Sequence, residues 1–217
     1  MNPVITAFER SPDRGRGHAR DMRLRWALEE VGVGYETRLL SFEAMKQPAH
    51  KRIHPFGQIP TYEEDSLSLF ESGAILLHIA DRHPGLLPTE PGARARAITW
   101  MFAALNTIEP PVFDLSILKI VEGDRPWYEE RKKVLETRIE TLLANLSAYL
   151  GTDEWLVGSF SAADILMVTV LRRLIGTGLL ETHSNLVSYT DRAEARPAWK
   201  RAFMAQLAVF EASQSAS

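Results

Sequence analysis

The stretch FGQIPTYEEDSLSLFES, residues 56–72, ends on an acid and a hydroxyl, Glu71-Ser72, at the mouth of a helix. Both residue types are favoured at helix N-termini, so the pair taken by itself reads as a cap. The same stretch holds Pro60 between Ile59 and the pair Thr61-Tyr62. Proline has no N–H for a sheet ladder and belongs at a strand's first position, an edge or a bulge. On residue chemistry alone it reads as a strand-initiating proline. Upstream, ERSPDRGRG opens a segment carrying Arg10, Arg14, Arg16, Arg20, Arg23 and Arg25, most of which read as solvated surface. A patch for single-stranded nucleic acid needs aromatic residues among its basic ones, and this segment lacks that interleaving. The chain has no cysteine. That excludes a disulfide framework, a thiolate metal site and a catalytic thiol of the protein's own.

Several elements must form to position these residues. The 217 residues suffice for one large domain or two smaller ones, with 45% hydrophobic and 24% charged content. A net charge of -3 offers no general attraction to nucleic acid or an anionic membrane. No apolar run is long enough for a membrane span, and the first residues lack the apolar region of a signal peptide. A cytoplasmic protein is expected. Residues 3–8 predict a strand, 18–31 a partly buried helix and 35–42 a second strand. A short broken helix, a hairpin around Glu63-Glu64-Asp65 and a helix over 72–83 follow. Beyond them no strand is expected. Helices are predicted over 93–109, 127–150, 161–175, 185–195 and 197–210, with Pro110-Pro111 bending the first of them and residues 211–217 frayed. The alternation of the first part predicts a small mixed sheet with helices on both faces. The expected domains are 1–84 and 93–217, joined by a linker at 85–92 rich in proline and glycine.

The motifs WALEEVGVGYE (26–36), HPFGQIPTYEEDSLSLFESGAILLHIADRHP (54–84), WLVGSFSAADI (155–165) and RPAWKRAF (196–203) resemble the cytosolic glutathione transferases over essentially the whole chain. The second of these is the specific one. The resemblance implies an α/β thioredoxin-like first domain that binds glutathione, an all-α helical second domain, and a homodimer. It implies that Pro60 is cis, and that the Ile59 backbone pairs, strand-like, with an extended tripeptide. Gln58, Ile59, Pro60, Glu71 and Ser72 are the implied glutathione-binding residues. The γ-glutamyl end of glutathione is a zwitterion, and a carboxylate beside a hydroxyl at a helix N-terminus offers a partner to each of its charges. SAAD at 161–164 matches the family's capping motif, whose role is folding.

Members of the family activate the glutathione thiol with a Tyr, Ser or Cys near the start of the first helix. Ser11 is the only hydroxyl between the first strand and the first helix here, in a connection longer than the family's usual one. Two alternatives stand beside it: free helix amides around Gly17 and His18, or positive charge from Arg14, Arg16 or Arg20. The acceptor site is expected between the domains, lined by Trp100, Met101, Leu105 and Asn106. The function implied is conjugation of glutathione, as co-substrate, to a small electrophile, or a related peroxidase or isomerase reaction. No metal, membrane or nucleic-acid partner is expected. The competing function is a noncatalytic scaffold of the same fold for protein–protein contact.

Overall fold

A computed structural model describes residues 2–215. Two compact units form: residues up to Leu87 together with those from Ala195 onwards, and Pro88–Glu194. The sequence reading ran the helical domain from 93 to the end of the chain, whereas residues from Ala195 on pack with the first unit.

In the first unit, strands β1 (Val4–Phe8), β2 (Glu36–Leu40), β3 (Thr61–Glu64) and β4 (Leu67–Phe70) make one sheet in the order β2-β1-β3-β4. β1 and β2 run parallel, with Val4 opposite Glu36 and Phe8 opposite Leu40. Parallel neighbours need a crossover, and helix α1 (Asp21–Glu30) provides it. β3 runs antiparallel to β1 and to β4, with Ile5 opposite Tyr62 and Tyr62 opposite Leu69. Between β2 and β3 lie the two short helices α2 (Phe42–Met45) and α3 (Pro48–Lys51). Helix α4 (Ser72–Arg82) follows β4 directly.

Helix α1 starts three residues later than its sequence pattern suggested, and it is buried from Asp21 to Leu28. Its outer neighbour is the last helix, α10 (Pro197–Ser215). Trp26 meets Trp199 edge-on at 4.8 Å. Arg196 grips the Glu30 carboxylate at 2.6 and 2.8 Å, and Gln206 donates to Asp21 at 3.0 Å. The fraying expected from residue 211 does not begin there: α10 continues to Ser215. Residues 216 and 217 lie outside the described part. The expectation that these arginines are solvated fails for Arg23 and Arg25, each 2% exposed. Arg25 pairs within α1 with Asp21 at 2.8 Å, so burial of its charge is offset by a carboxylate on the same helical face.

The second unit is helical throughout. Helix α5 (Pro91–Ala103) begins inside the expected linker, because the Glu90 carboxylate accepts from the Gly92 and Ala93 amides and caps it. A π-helical turn, Ala104–Ile108, then leads into helix α6 (Glu109–Val121). Pro110 and Pro111 sit in the first turn of α6, where no amide donor is needed, so they begin a helix rather than end one. Helices α7 (Tyr128–Leu150), α8 (Ala162–Leu171) and α9 (Ser184–Glu194) complete the unit. Every residue of α8 is buried, as its apolar sequence required. The SAAD capping box is closed: Asp164 accepts from the Ser161 amide at 2.8 Å and its hydroxyl at 3.0 Å. Asp164 also accepts from the Leu156 amide at 3.1 Å and the Tyr189 hydroxyl at 2.8 Å.

Candidate functional site

The segment that carries Gln58, Ile59 and Pro60 is held from behind by a histidine. His50, at the end of α3, is buried, and its Nε2–H donates to the Gln58 carbonyl at 2.6 Å. The Ile59-Pro60 bond is cis. Pro60 stands just before β3, and the Thr61 amide donates to the Thr6 hydroxyl at 2.7 Å instead of to a ladder carbonyl. Neither the N–H nor the C=O of Ile59 engages a hydrogen bond among the described residues. An extended peptide laid against this segment would find both groups free.

Glu71 and Ser72 open α4, and they do not behave as an ordinary cap. Glu71 has φ +70° and ψ +111°, a backbone conformation that L side chains avoid. Its carboxylate accepts nothing from the α4 amides and is exposed. A residue kept in such a conformation costs roughly 1–3 kcal/mol, and strain of this size collects at ligand sites. The Glu71 charge acts on His54, raising its pKa, but burial dominates and holds that imidazole below its ordinary value. Ser72 is buried, and its Oγ accepts from Arg23 Nη1 at 3.0 Å. With a lone pair taken by the guanidinium, the Ser72 hydroxyl proton is turned to another acceptor. A buried arginine, a hydroxyl donor and the α4 amides therefore converge on one spot suited to a carboxylate. The Glu71 carboxylate beside it suits an ammonium.

The loop from β1 to α1 has a single organiser, which the sequence reading passed over. The Asp13 carboxylate accepts from the Ser11 hydroxyl at 2.5 Å and the Gly15 amide at 3.1 Å through Oδ1. Through Oδ2 it accepts from the His18 and Ala19 amides at 2.5 and 3.1 Å. Ser11 is 6% exposed and its proton is committed to Asp13. The His18 amide, one of the free helix amides expected to meet a thiolate, is likewise committed. Arg20 stands at the N-cap position of α1 without a side-chain cap bond. Gly15, at φ +73°, lies under α10 so closely that an added Cβ would stand 2.9 Å from Leu207 Cδ1.

The signal for Asp13 was available in the sequence: an aspartate two residues before glycine is a turn former that bonds its own downstream amides. Arg23 gave no such signal, because nothing in one sequence separates a buried arginine from a solvated one. Of the residues expected to line an acceptor site, Met101 is buried, Leu105 is half-buried and Asn106 is exposed, the last two on the π turn. A separate cleft at the carboxyl ends of β1 and β2 is lined by Phe8, Arg10, Leu40 and Phe42, and shares no residue with the Gln58–Ser72 set. No cluster of metal-ligating side chains occurs among the described residues.

Comparison with known proteins agrees with this geometry. Residues 14–81 match the family "Glutathione S-transferase, N-terminal domain", and residues 117–203 match "Glutathione S-transferase, C-terminal domain". Glutathione S-transferase F10 of Arabidopsis thaliana is 30% identical over 189 residues, covering 80% of this chain and 86% of the relative. Glutathione S-transferase 4 of Zea mays is 31% identical over 186 residues, 79% of this chain and 82% of its own. A glutathione transferase from Burkholderia graminis, solved with two glutathione molecules per subunit, superposes with a TM-score of 0.83 at 26% identity. That match covers 93% of this chain and 87% of that one. The chain belongs to the glutathione S-transferase family.

Proposed function

We propose that this protein is a glutathione transferase that binds glutathione across Gln58, Ile59, Pro60, Glu71 and Ser72 and transfers its sulfur to an electrophilic carbon of a small molecule. The observation that carries the reading is Glu71: a carboxylate kept in a costly backbone conformation, capping nothing, beside a serine whose hydroxyl is polarised by buried Arg23. That pair meets the ammonium and carboxylate of a γ-glutamyl group, while the free Ile59 N–H and C=O meet a peptide backbone. The tripeptide's thiol then faces the loop from Ser11 to Arg20. Catalysis consists of holding the sulfur in line with the electrophile and stabilising developing charge. Leu105 and Asn106, with Met101 beneath, belong to the acceptor side in this reading.

The family relationship supports a homodimer, and apolar side chains exposed at Phe56, Phe102 and Val134 offer surface for one. Sedimentation at micromolar concentration tests that assembly. The family relationship supports a cytoplasmic location; no described helix is long and apolar enough to cross a membrane. The binding site is tested by calorimetry of Glu71→Ala with glutathione. Losing the partner of a charge-assisted hydrogen bond costs about 1.5–3 kcal/mol, so affinity falls about ten- to 150-fold. Unchanged affinity in the folded variant would overturn the assignment.

A further inference from the structure

We propose that His54 is a positioning residue for the ligand ammonium: as a neutral ring it leaves the Glu71 carboxylate to glutathione, and as a cation it takes that carboxylate for itself; this rests on the glutathione reading above. His54 lies in the turn between α3 and the Gln58–Pro60 segment. Its amide donates to the His50 carbonyl at 2.9 Å, and its carbonyl accepts from the Gly57 amide at 2.8 Å. The ring is 2% exposed and packs on Phe70, the residue before Glu71, with centroids 5.0 Å apart. Its Nδ1 is buried and has no hydrogen-bond partner among the described residues. A neutral imidazole can carry its proton on Nε2 and leave Nδ1 bare, whereas an imidazolium protonates both nitrogens. A buried Nδ1–H without an acceptor is costly, so burial holds the ring neutral at pH 7. Two titratable neighbours act on it. Glu71, at the mouth of α4, favours the cation, and His50, on α3, opposes it; the ring's own backbone carbonyl favours the cation more weakly than Glu71 does. β4 and the loop before Pro60 face it with the rings of Phe70 and Phe56. When the γ-glutamyl ammonium pairs with Glu71, the main support for a proton on His54 is lost. By reciprocity, a proton already on His54 weakens the hold on that ammonium by the same factor. Glutathione binding therefore releases a proton from His54 in mildly acid solution.

Calorimetry of glutathione binding near neutral pH and about two units below it, in the wild type and His54→Gln, reads the coupling. Glu71, His50 and the ligand's own carboxylates are present in both proteins, so comparing the two acid-to-neutral affinity ratios isolates His54. The wild type should lose about two- to fivefold more affinity on acidification than His54→Gln, as expected for a pKa that differs by about half to one unit between free and bound protein. A merely structural role for His54 would change affinity alike at both pH values and leave the ratio untouched. Equal ratios in the two proteins overturn the proposal. Should His54→Gln fail to fold, ring-proton resonances of the wild type decide. The His54 signal, titrated with and without saturating glutathione, should show a lower midpoint when the ligand is bound. A midpoint that stays or rises overturns the proposal. In the ligand-free protein Glu71→Gln should lower the same midpoint, and no change there overturns the pairing with Glu71. Wild-type calorimetry near neutral pH separates the two levels: no binding of glutathione removes the glutathione reading and this inference together, whereas binding that leaves the His54 titration unmoved removes the inference alone.

Discussion

Replacing Glu71 by glycine should move stability and ligand affinity in opposite directions. The residue sits at φ +70° and ψ +111°, where its Cβ crowds the backbone and glycine has none to crowd. Conformations of this kind cost a non-glycine residue roughly 1–3 kcal/mol. Against that gain stands the extra freedom of glycine in the unfolded chain, about 0.5–1 kcal/mol. Because the carboxylate makes no cap bond, nothing else in the helix terminus is lost. The net expectation is about 1 kcal/mol of added stability, a rise in melting temperature of about 2–4 °C for a chain of this size. Glutathione binding should meanwhile weaken about ten- to 150-fold, since the ligand ammonium loses its partner. Calorimetric melting of the ligand-free protein and titration with glutathione measure the two arms. Glu71→Ala supplies the control, with the same loss of affinity and no gain in melting temperature. If Glu71→Gly melts below the wild type while keeping full affinity, both the strain and the ligand role assigned to this residue are wrong.

Asp164→Ala strips four buried donors of their acceptor, the Leu156 and Ser161 amides and the Ser161 and Tyr189 hydroxyls. At about 1–2 kcal/mol for each orphaned group the loss is about 4–8 kcal/mol, a fall in melting temperature of about 10 °C or more by calorimetry. Tyr62 bears on alkaline stability. Burial first, and the Glu64 carboxylate second, push its hydroxyl from 10.0 up to about 12. A raised folded-state pKa contributes stability that is present below pH 10 and lost as pH rises towards 12, so Tyr62→Phe should flatten the alkaline limb of a denaturation profile over that window. An alkaline limb of the same slope in both proteins would rule out Tyr62 as its source.

Much of the fold was legible because it rests on local rules. The 161–164 capping box and the apolar run behind it specified α8, and the strand and helix alternation specified the four-stranded sheet. Two misjudgements share one cause, a local rule applied where a neighbouring element decides. Pro110-Pro111 reads as a helix breaker, yet one π-helical turn before it lets the prolines begin α6. Arg23 reads as solvated, yet α4 and the sheet enclose α1 so fully that the guanidinium finds Ser72 instead of water. The set proposed to bind glutathione was readable as one uninterrupted motif. The thiol end was not, since the longer connection from β1 to α1 hides which group organises the loop until Asp13 is seen to hold it.

The pairing of α10 with α1 also orders events in time. A ribosome releases the stretch up to Leu87 first and the helical unit next, and only then the stretch that covers Trp26 and completes the Glu30 and Asp21 contacts. The helical unit is contiguous and can close as soon as Glu194 has emerged, while the sheet-bearing unit waits with one face of α1 uncovered. The unit that carries the proposed glutathione site is begun first and finished last. A nascent chain stalled before Ala195 would therefore expose apolar surface on the unit nearest its N-terminus, which is where a chaperone would be expected to sit.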